Sequence, residues 1–514
     1  MGDNGVEMNI SSKWGVWKDA PPAVAEQDIK ETIDCDVAVA GAGIAGVTCA
    51  LRAAQNGLKV VVLEKTARWN ARGGNIGVAN SKYMRSRGYE NDLEVLAREW
   101  IKRCASRCDE TVLWTYLKNS EEAMDWLLDI VTAPEYGARP ELQACLYRGE
   151  TYLERFGSHR IFDGPMAKKG MRPGASDAVY AMYTESLKLG VRYIFNAPAE
   201  QLEKKDGRVT AVLAKTEEGY MRVRAGKGIV LATGDIGGNP EMLEDLAPLA
   251  AGCAKQMYTP KGANTGDGHR MGLWAGGAFE DAPFPVMMHP QGYAFTNYCF
   301  LFVDMEGRRF MNEDNNIQGK CVTLRRLGMD YAWSILDGGW AEKIPESLKY
   351  GGGIFWGTDH GPDEPWFTVE GTLKRFERSA QSGNMVEADT PEELAEKMGV
   401  PAEQFVKTLD EYNRICREGK DTRFGKRKEL LMPLDKPPFI ALRFGPAVLA
   451  VVGGLRVGED MGVLDEKNRP VEGLYAVGNA AGGRYGVDYP MVIPGTSHGT
   501  ALTLAYVLGN KLAE

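Results

Sequence analysis

The chain has no run of 18 apolar residues, so no segment of it is expected to span a bilayer. It has no basic excess either. A net charge of −9 and a pI near 5.4 exclude nucleic acid or an anionic membrane surface as the expected main partner. Its nine cysteines are scattered. With neither a C-x-x-C-H signature nor a cysteine cluster, haem and iron–sulfur centres are excluded, and no metal site is expected. The first residues, MGDNGVEMNISSKWGVW, lack a basic-then-apolar leader pattern, and with unpaired thiols this gives a reducing, cytoplasmic setting as the expectation. No internal repeat is visible.

What the chain does have is glycine, 61 in 514 residues, well above the average of about 7%. These glycines form no low-complexity tract, so they point to tight turns and close backbone approaches. From Asp36 a buried strand, DVAVA, enters GAGIAG, followed by an apolar-periodic helix and a second strand, KVVVLE. This is a βαβ unit and implies a parallel sheet. Helical patterns cover 89–135 and 174–190, and three strands follow before residue 232. Residues 284–445 differ in character, broken by aromatics, Pro and Gly, with helices at PEELAEKMG and AEQFVKTLDEYNRICREG. The last 65 or so residues return to strand, glycine turn and helix. The expected fold class is α/β: a Rossmann-like nucleotide-binding domain in two parts (32–283 and 446–514), an inserted α+β capping domain (284–445), and an N-terminal arm (1–31) held by Trp14 and Trp17.

Gly41, Gly43 and Gly46 have the G-x-G-x-x-G spacing. The first permits the tight turn, the second lets backbone approach a pyrophosphate, and the third lets helix and strand pack closely. The helix N-terminus then faces the phosphates. Glu64 closes the second strand, where a carboxylate accepts ribose hydroxyls. A second glycine-rich stretch, KTARWNARGGNIGVAN, and a strand ending in Ala-Thr-Gly (GKGIVLATG) continue along a longer cofactor than NAD, so the expected cofactor is FAD. A second βαβ unit for NAD(P)H is absent. Electrons are therefore expected from an external donor, a partner protein or the substrate.

With NTGDGHRMGLWAGGA, VDMEGRRFMNED and GLYAVGNAAGG in this order, residues 34–514 resemble the family of soluble fumarate reductases, succinate dehydrogenase flavoproteins and 3-ketosteroid Δ1-dehydrogenases. The resemblance implies FAD contacts at Glu64, Asn70, Gly73, Gly74, Asp267 and Asn479. It also implies that the amides of Ala501 and Leu502 face the pyrimidine edge of the flavin, where a helix N-terminus stabilises negative charge. The succinate dehydrogenase branch attaches its flavin through a histidine before the GG pair. Ala67 stands there in this chain, so non-covalent FAD is expected.

The same resemblance implies four dicarboxylate anchors in fumarate reductases. His289-Pro290 matches one. Ile317 replaces the first arginine, no histidine precedes Gly453-Gly454, and Asp488-Tyr489 replaces Asn-Arg. A dicarboxylate thus has little to bind. Tyr489-Pro490 instead resembles the ketosteroid branch, where a tyrosine hydroxyl polarises a substrate carbonyl. The expected reaction is hydride transfer, through flavin N5, to or from a C=C or CH–CH unit beside a carbonyl-type group. Its expected substrate is a small, uncharged or weakly charged, ring-containing molecule, not fumarate. Candidate catalytic residues are Tyr489, Tyr485, His289 and, beside the family's proton-donor position, Asn315. A ketosteroid-type desaturase and a flavoprotein subunit of an electron-transfer complex are the alternatives.

Overall fold

A computed structural model of the chain describes residues 17–145, 148–149, 152–153, 156–253, 255–257, 260–294, 298–351, 356–358 and 367–514. Strand β1 (Ile29–Ala40) leads into helix α1 (Ile44–Gln55) and strand β2 (Val60–Leu63). Val37 to Ala40 are fully buried, as a central parallel strand covered on both faces requires. β1 pairs in parallel with β2 on one side and with Gly219–Leu231 on the other. Beyond these, the sheet continues to Arg192–Ile194 at one edge, and to Pro470–Ala476 and Gly462–Leu464 at the other. The C-terminal part of the chain therefore returns to the sheet that the N-terminal part begins. β1 starts at Ile29 rather than Asp36, because its first half pairs with Tyr220–Ala225. Residues 29–31 thus belong to the sheet, not the arm. Trp17 is buried, donating from its indole to Asp245 at 2.9 Å; Trp14 lies outside the described residues.

Two short strands frame the mouth of the βαβ unit. β3 (Asn75–Gly77) pairs antiparallel with β4 (Ser158–Phe162), which places Arg160 opposite Asn75. Helix α2 (Asp267–Trp274) packs beside Thr233, whose hydroxyl accepts the Gly268 amide at 3.0 Å.

Strand β5 (Val286–His289) starts the middle segment and pairs antiparallel with Ala447–Val451. Helix α3 (Ile317–Arg326) sends Gln318 back to this junction. Its carbonyl accepts from Met288 N (2.7 Å), and its amide donates to Val286 O (2.5 Å) and Asp488 Oδ1 (2.6 Å). The rest of the segment builds an antiparallel sheet, Leu301–Val303, Ala332–Leu336, Phe439–Phe444 and Met385–Ala388, under helices that include α4 (Val369–Gln381). Trp333, Phe405, Tyr412 and Leu442 belong to its own apolar core, separate from the core around the parallel sheet. Trp340 is part of that core, with Phe376 against it at 5.1 Å. The last helix, α5 (Thr496–Lys511), runs from the cleft back along α1. Among the described residues no helix is long and apolar enough to cross a membrane, and no cluster of ligating side chains could hold a metal ion.

Candidate active site

A cavity of about 630 Å³ lies at the carboxyl end of β1 and is lined from both the parallel-sheet domain and the middle segment. That is where open α/β sheets bind their ligands. Gly41 has φ +110°, and a Cβ there would stand 2.3 Å from Ala232 O. Gly46 is closer still: its Cβ would meet Gly41 O at 1.9 Å, so α1 rests directly on the turn and Gly46 itself stays behind the cavity wall. A Cβ on Gly43 would meet no protein atom within 4 Å, because this glycine faces the cavity. Glu64 is 93% buried and accepts from Ala42 N (2.8 Å), Thr66 N (2.9 Å) and Thr66 Oγ1 (2.7 Å) (relative exposure 7%). A carboxylate has about four acceptor sites, so one remains for a ligand hydroxyl. Asn264 lines the same space, and its buried Nδ2 has no partner among the described residues. The glycine cradle, the remaining acceptor site of Glu64 and this orphan donor suit a dinucleotide cofactor.

Asp267, the first residue of α2, accepts from Lys65 Nζ (2.7 Å), Thr265 Oγ1 (2.8 Å) and Arg270 Nη2 (2.8 Å). Burial by itself would raise its carboxyl, but the charges of Lys65 and Arg270 hold it down at about 2. Asn70, Gly73, Gly74 and Asn479 also line the cavity, as the resemblance implies for FAD contacts. At its far end α5 begins with Thr496. Ala501 lines the cavity, but it is the sixth residue of the helix, and Leu502 points into the core. Their amides lie within regular helix and are committed to i→i−4 bonds. In the first turn the amides of Ser497, His498 and Gly499 already donate to Tyr489 Oη and to Gly495 O, and Ala501 lines the cavity one turn further on. His498, on the first turn, donates from Nδ1 to Asn75 O at 2.8 Å, and burial pushes its imidazole down.

Of the candidate catalytic residues, Tyr489 and His289 line the cavity and Tyr485 and Asn315 do not. Tyr489 is 3% exposed. Its hydroxyl oxygen accepts from Thr496 Oγ1 (2.9 Å) and from Ser497 N (3.2 Å), and burial pushes its pKa up. Both lone pairs are then in use, and the phenolic proton is left for another acceptor. Gln291 Nε2 donates to His289 Nδ1 at 2.9 Å, which puts the ring proton on Nε2. Burial, and next the nearby guanidinium of Arg172, push this imidazole down to about 4, so it is neutral. Tyr485 is fully buried against Trp100, with ring centroids 5.6 Å apart, and supports Tyr489 from behind. Asn315 turns inward to the start of α3 and accepts the Asn316 amide at 2.8 Å. Asp488 is pushed up to about 6 by burial and receives Gln318 and its neighbour's amide.

Arginines are what sequence reasoning missed. Arg72, Arg160, Arg172 and Arg375 all line the cavity. Arg72 pairs with Asp235 at 3.2 Å, and Arg375 reaches in from α4, donating to Thr372 Oγ1 at 2.9 Å. No local pattern marks them: in GSHRIF, Arg160 follows two other polar residues, and all of Ser158–Ile161 are buried.

The family model described as FAD binding domain matches residues 36–491. A vinyl phenol reductase of Lactiplantibacillus plantarum is 26% identical over 505 residues, covering 93% of this chain and 96% of that protein. A 4-oxocyclohex-2-ene-1-carboxylate 5-dehydrogenase of Sinomonas cyclohexanicum is 28% identical, covering 95% of this chain and 96% of that protein. Among solved structures, the 3-ketosteroid-Δ4-(5α)-dehydrogenase of Rhodococcus jostii in complex with 4-androstene-3,17-dione superposes with a TM-score of 0.71 at 24% identity, over 94% of this chain and 98% of that one. That likeness shows the fold.

Proposed function

We propose, from the premise that this chain belongs to the FAD-binding domain family and is an FAD-dependent oxidoreductase of C=C and CH–CH bonds, that its substrate is a ring-containing molecule with one activating oxygen group, and not fumarate. The observation that carries this reading is Tyr489. It lines the cavity at the position where the fumarate reductases it resembles keep an arginine, and its hydroxyl has a proton to give and no free lone pair. The relatives named for a vinyl phenol and for a cyclohexene carboxylate support a ring-bearing substrate.

Gly41, Gly43, Glu64, Asn70, Gly73, Gly74, Asp267 and Asn479 would hold FAD, without a covalent bond since Ala67 offers no nucleophile. Bound FAD supplies a hydride donor or acceptor at its N5. Tyr489 donates a hydrogen bond to the oxygen group and stabilises the negative charge that grows there in the transition state. His289, neutral and protonated on Nε2, is a second donor of the same kind. Residues 284–445 act as the cap that excludes water. The same groups serve reduction or desaturation, and the external electron donor or acceptor sets the direction.

Turnover driven by reduced methyl viologen tests this, with a cyclic enone, a para-hydroxystyrene and fumarate offered separately. One of the ring compounds is expected to exceed fumarate in kcat/KM by about 30- to 150-fold, since loss of a charge-matched pair costs about 2–3 kcal/mol. A preference for fumarate overturns the reading.

A further inference from the structure

Two arginines near the Gly74 turn, Arg160 and Arg172, line the cavity with no ion pair among the described residues. Arg160 comes from β4, whose pairing with β3 sets it opposite Asn75. It is 7% exposed, and its Nε donates to Pro173 O at 3.1 Å, only 3.2 Å from where a Cβ on Gly74 would stand. Arg172 comes from the loop before the helix Ala175–Lys188. Gly174, two residues on, packs so tightly on Gly74 that its Cβ would lie 2.3 Å from the Gly74 Cα. Both arginines line the cavity, together with His289. Among the described residues neither has an acidic side chain within 4 Å. The carboxylate opposite Arg160 in the strand register, Glu141, is taken by Arg139. Burial first, and then the charge of Arg172, hold down the proton affinity of both Arg160 and His289, and Glu141 opposes this in part at Arg160.

A buried guanidinium with no ion pair is costly, and Arg160 is in that position while the exposed Arg172 adds a second positive charge at the same wall; an anion bound between them lowers the cost. FAD does not supply that anion if its pyrophosphate lies at the Gly41–Gly43 turn, on the N-terminus of α1, as the glycine spacing implies. We propose that Arg160 and Arg172 form an oxyanion site for the substrate, which carries a single ionised oxygen group, a carboxylate or a phenolate. This rests on the reading of the cavity as the substrate site and narrows its substrate to a monoanion. A guanidinium pair holds such a group bidentately, and a single charge asks for none of the dicarboxylate anchors that the sequence lacks.

Equilibrium binding to the oxidised holoenzyme tests this without turnover, using the flavin absorbance as the readout. Two matched pairs serve as probes: 4-ethylphenol with 4-ethylanisole, titrated from pH 7 to 10, and cyclohexanecarboxylate with its methyl ester. One anion is expected to bind about tenfold to a hundredfold more tightly than its neutral partner, and which one identifies the group. Arg160→Gln and the more exposed Arg172→Gln should each erase that preference, and Arg160→Lys should keep part of it. Equal affinities for anion and neutral partner overturn the proposal and leave the substrate-site reading intact. So does an anion preference that survives both Gln variants. If Arg160→Gln weakens anion and neutral ligand alike, Arg160 acts on the flavin and the proposal fails. If no ligand perturbs the flavin, the proposal and the substrate-site reading fall together.

Discussion

Replacing Tyr489 with Phe removes one oxygen and keeps the ring between Tyr485 and the cavity, so two consequences can be separated. The first is structural. The hydroxyl accepts from Thr496 Oγ1 at 2.9 Å and from Ser497 N at 3.2 Å, at the first turn of α5. Thr496 can rotate to a new acceptor, but the Ser497 amide cannot, and an unsatisfied buried amide costs about 1–3 kcal/mol. The second is kinetic. If the phenolic proton meets the substrate oxygen, losing that donor costs about 100- to 1,000-fold in kcat. The assay is turnover with the best ring substrate, alongside the urea midpoint and the FAD-to-protein ratio. The expected variant keeps its FAD, unfolds at somewhat lower urea, and loses at least about 100-fold in kcat. A variant that is destabilised but within threefold or so of wild-type kcat would refute the reasoning and leave Tyr489 as a cap for α5 alone.

Gly46→Ala forces a Cβ to within 1.9 Å of Gly41 O, so the purified protein should hold less than about a tenth of an equivalent of FAD; an equimolar flavin content would contradict this. Asp267 sits at about 2 rather than its ordinary 3.8, a depressed carboxyl whose stabilisation is complete above 3.8 and lost as pH falls through 2. This is worth about 2 kcal/mol, and Asp267→Asn should flatten the urea midpoint across that window. His289, held down to about 4, should give kcat/KM no inflection near 6.5, whereas one found there and abolished by His289→Asn would show an imidazole that titrates in the working range.

The parts of the fold legible in the sequence are those that local chemistry fixes. PEELAEKM reads as a helix because Thr390 caps it, Pro391 opens it and Gly399 closes it in the left-handed region, and the helix is there at Pro391–Met398. GAGIAG reads as a phosphate turn because the glycines have strand before and helix after, and the backbone contacts at Gly41 and Gly46 have the expected form. What is not local was not legible. β1 begins at Ile29 because of a partner strand almost 200 residues away. Arg160 and Arg172 reach the cavity only because β4 pairs with β3 and Gly174 rests on Gly74. In the sequence they are two of 61 basic residues with nothing to mark them. Comparison of family positions registers the arginine missing at Ile317 and cannot register arginines arriving from elsewhere. Ala501 and Leu502 carry over by position alone, and only the helix itself shows that the first lines the cavity while the second is buried.

The central claim, that FAD held in this cavity exchanges a hydride with a carbon–carbon double bond, is tested most directly by an anaerobic titration. The holoenzyme is photoreduced, and the ring substrate that supports turnover is then added in fractions of an equivalent. The flavin absorbance is expected to return in full at one equivalent, with one saturated product formed per flavin reoxidised. A flavin that stays reduced through an excess of every alkene offered, and recovers its colour only on admission of oxygen, would contradict the account.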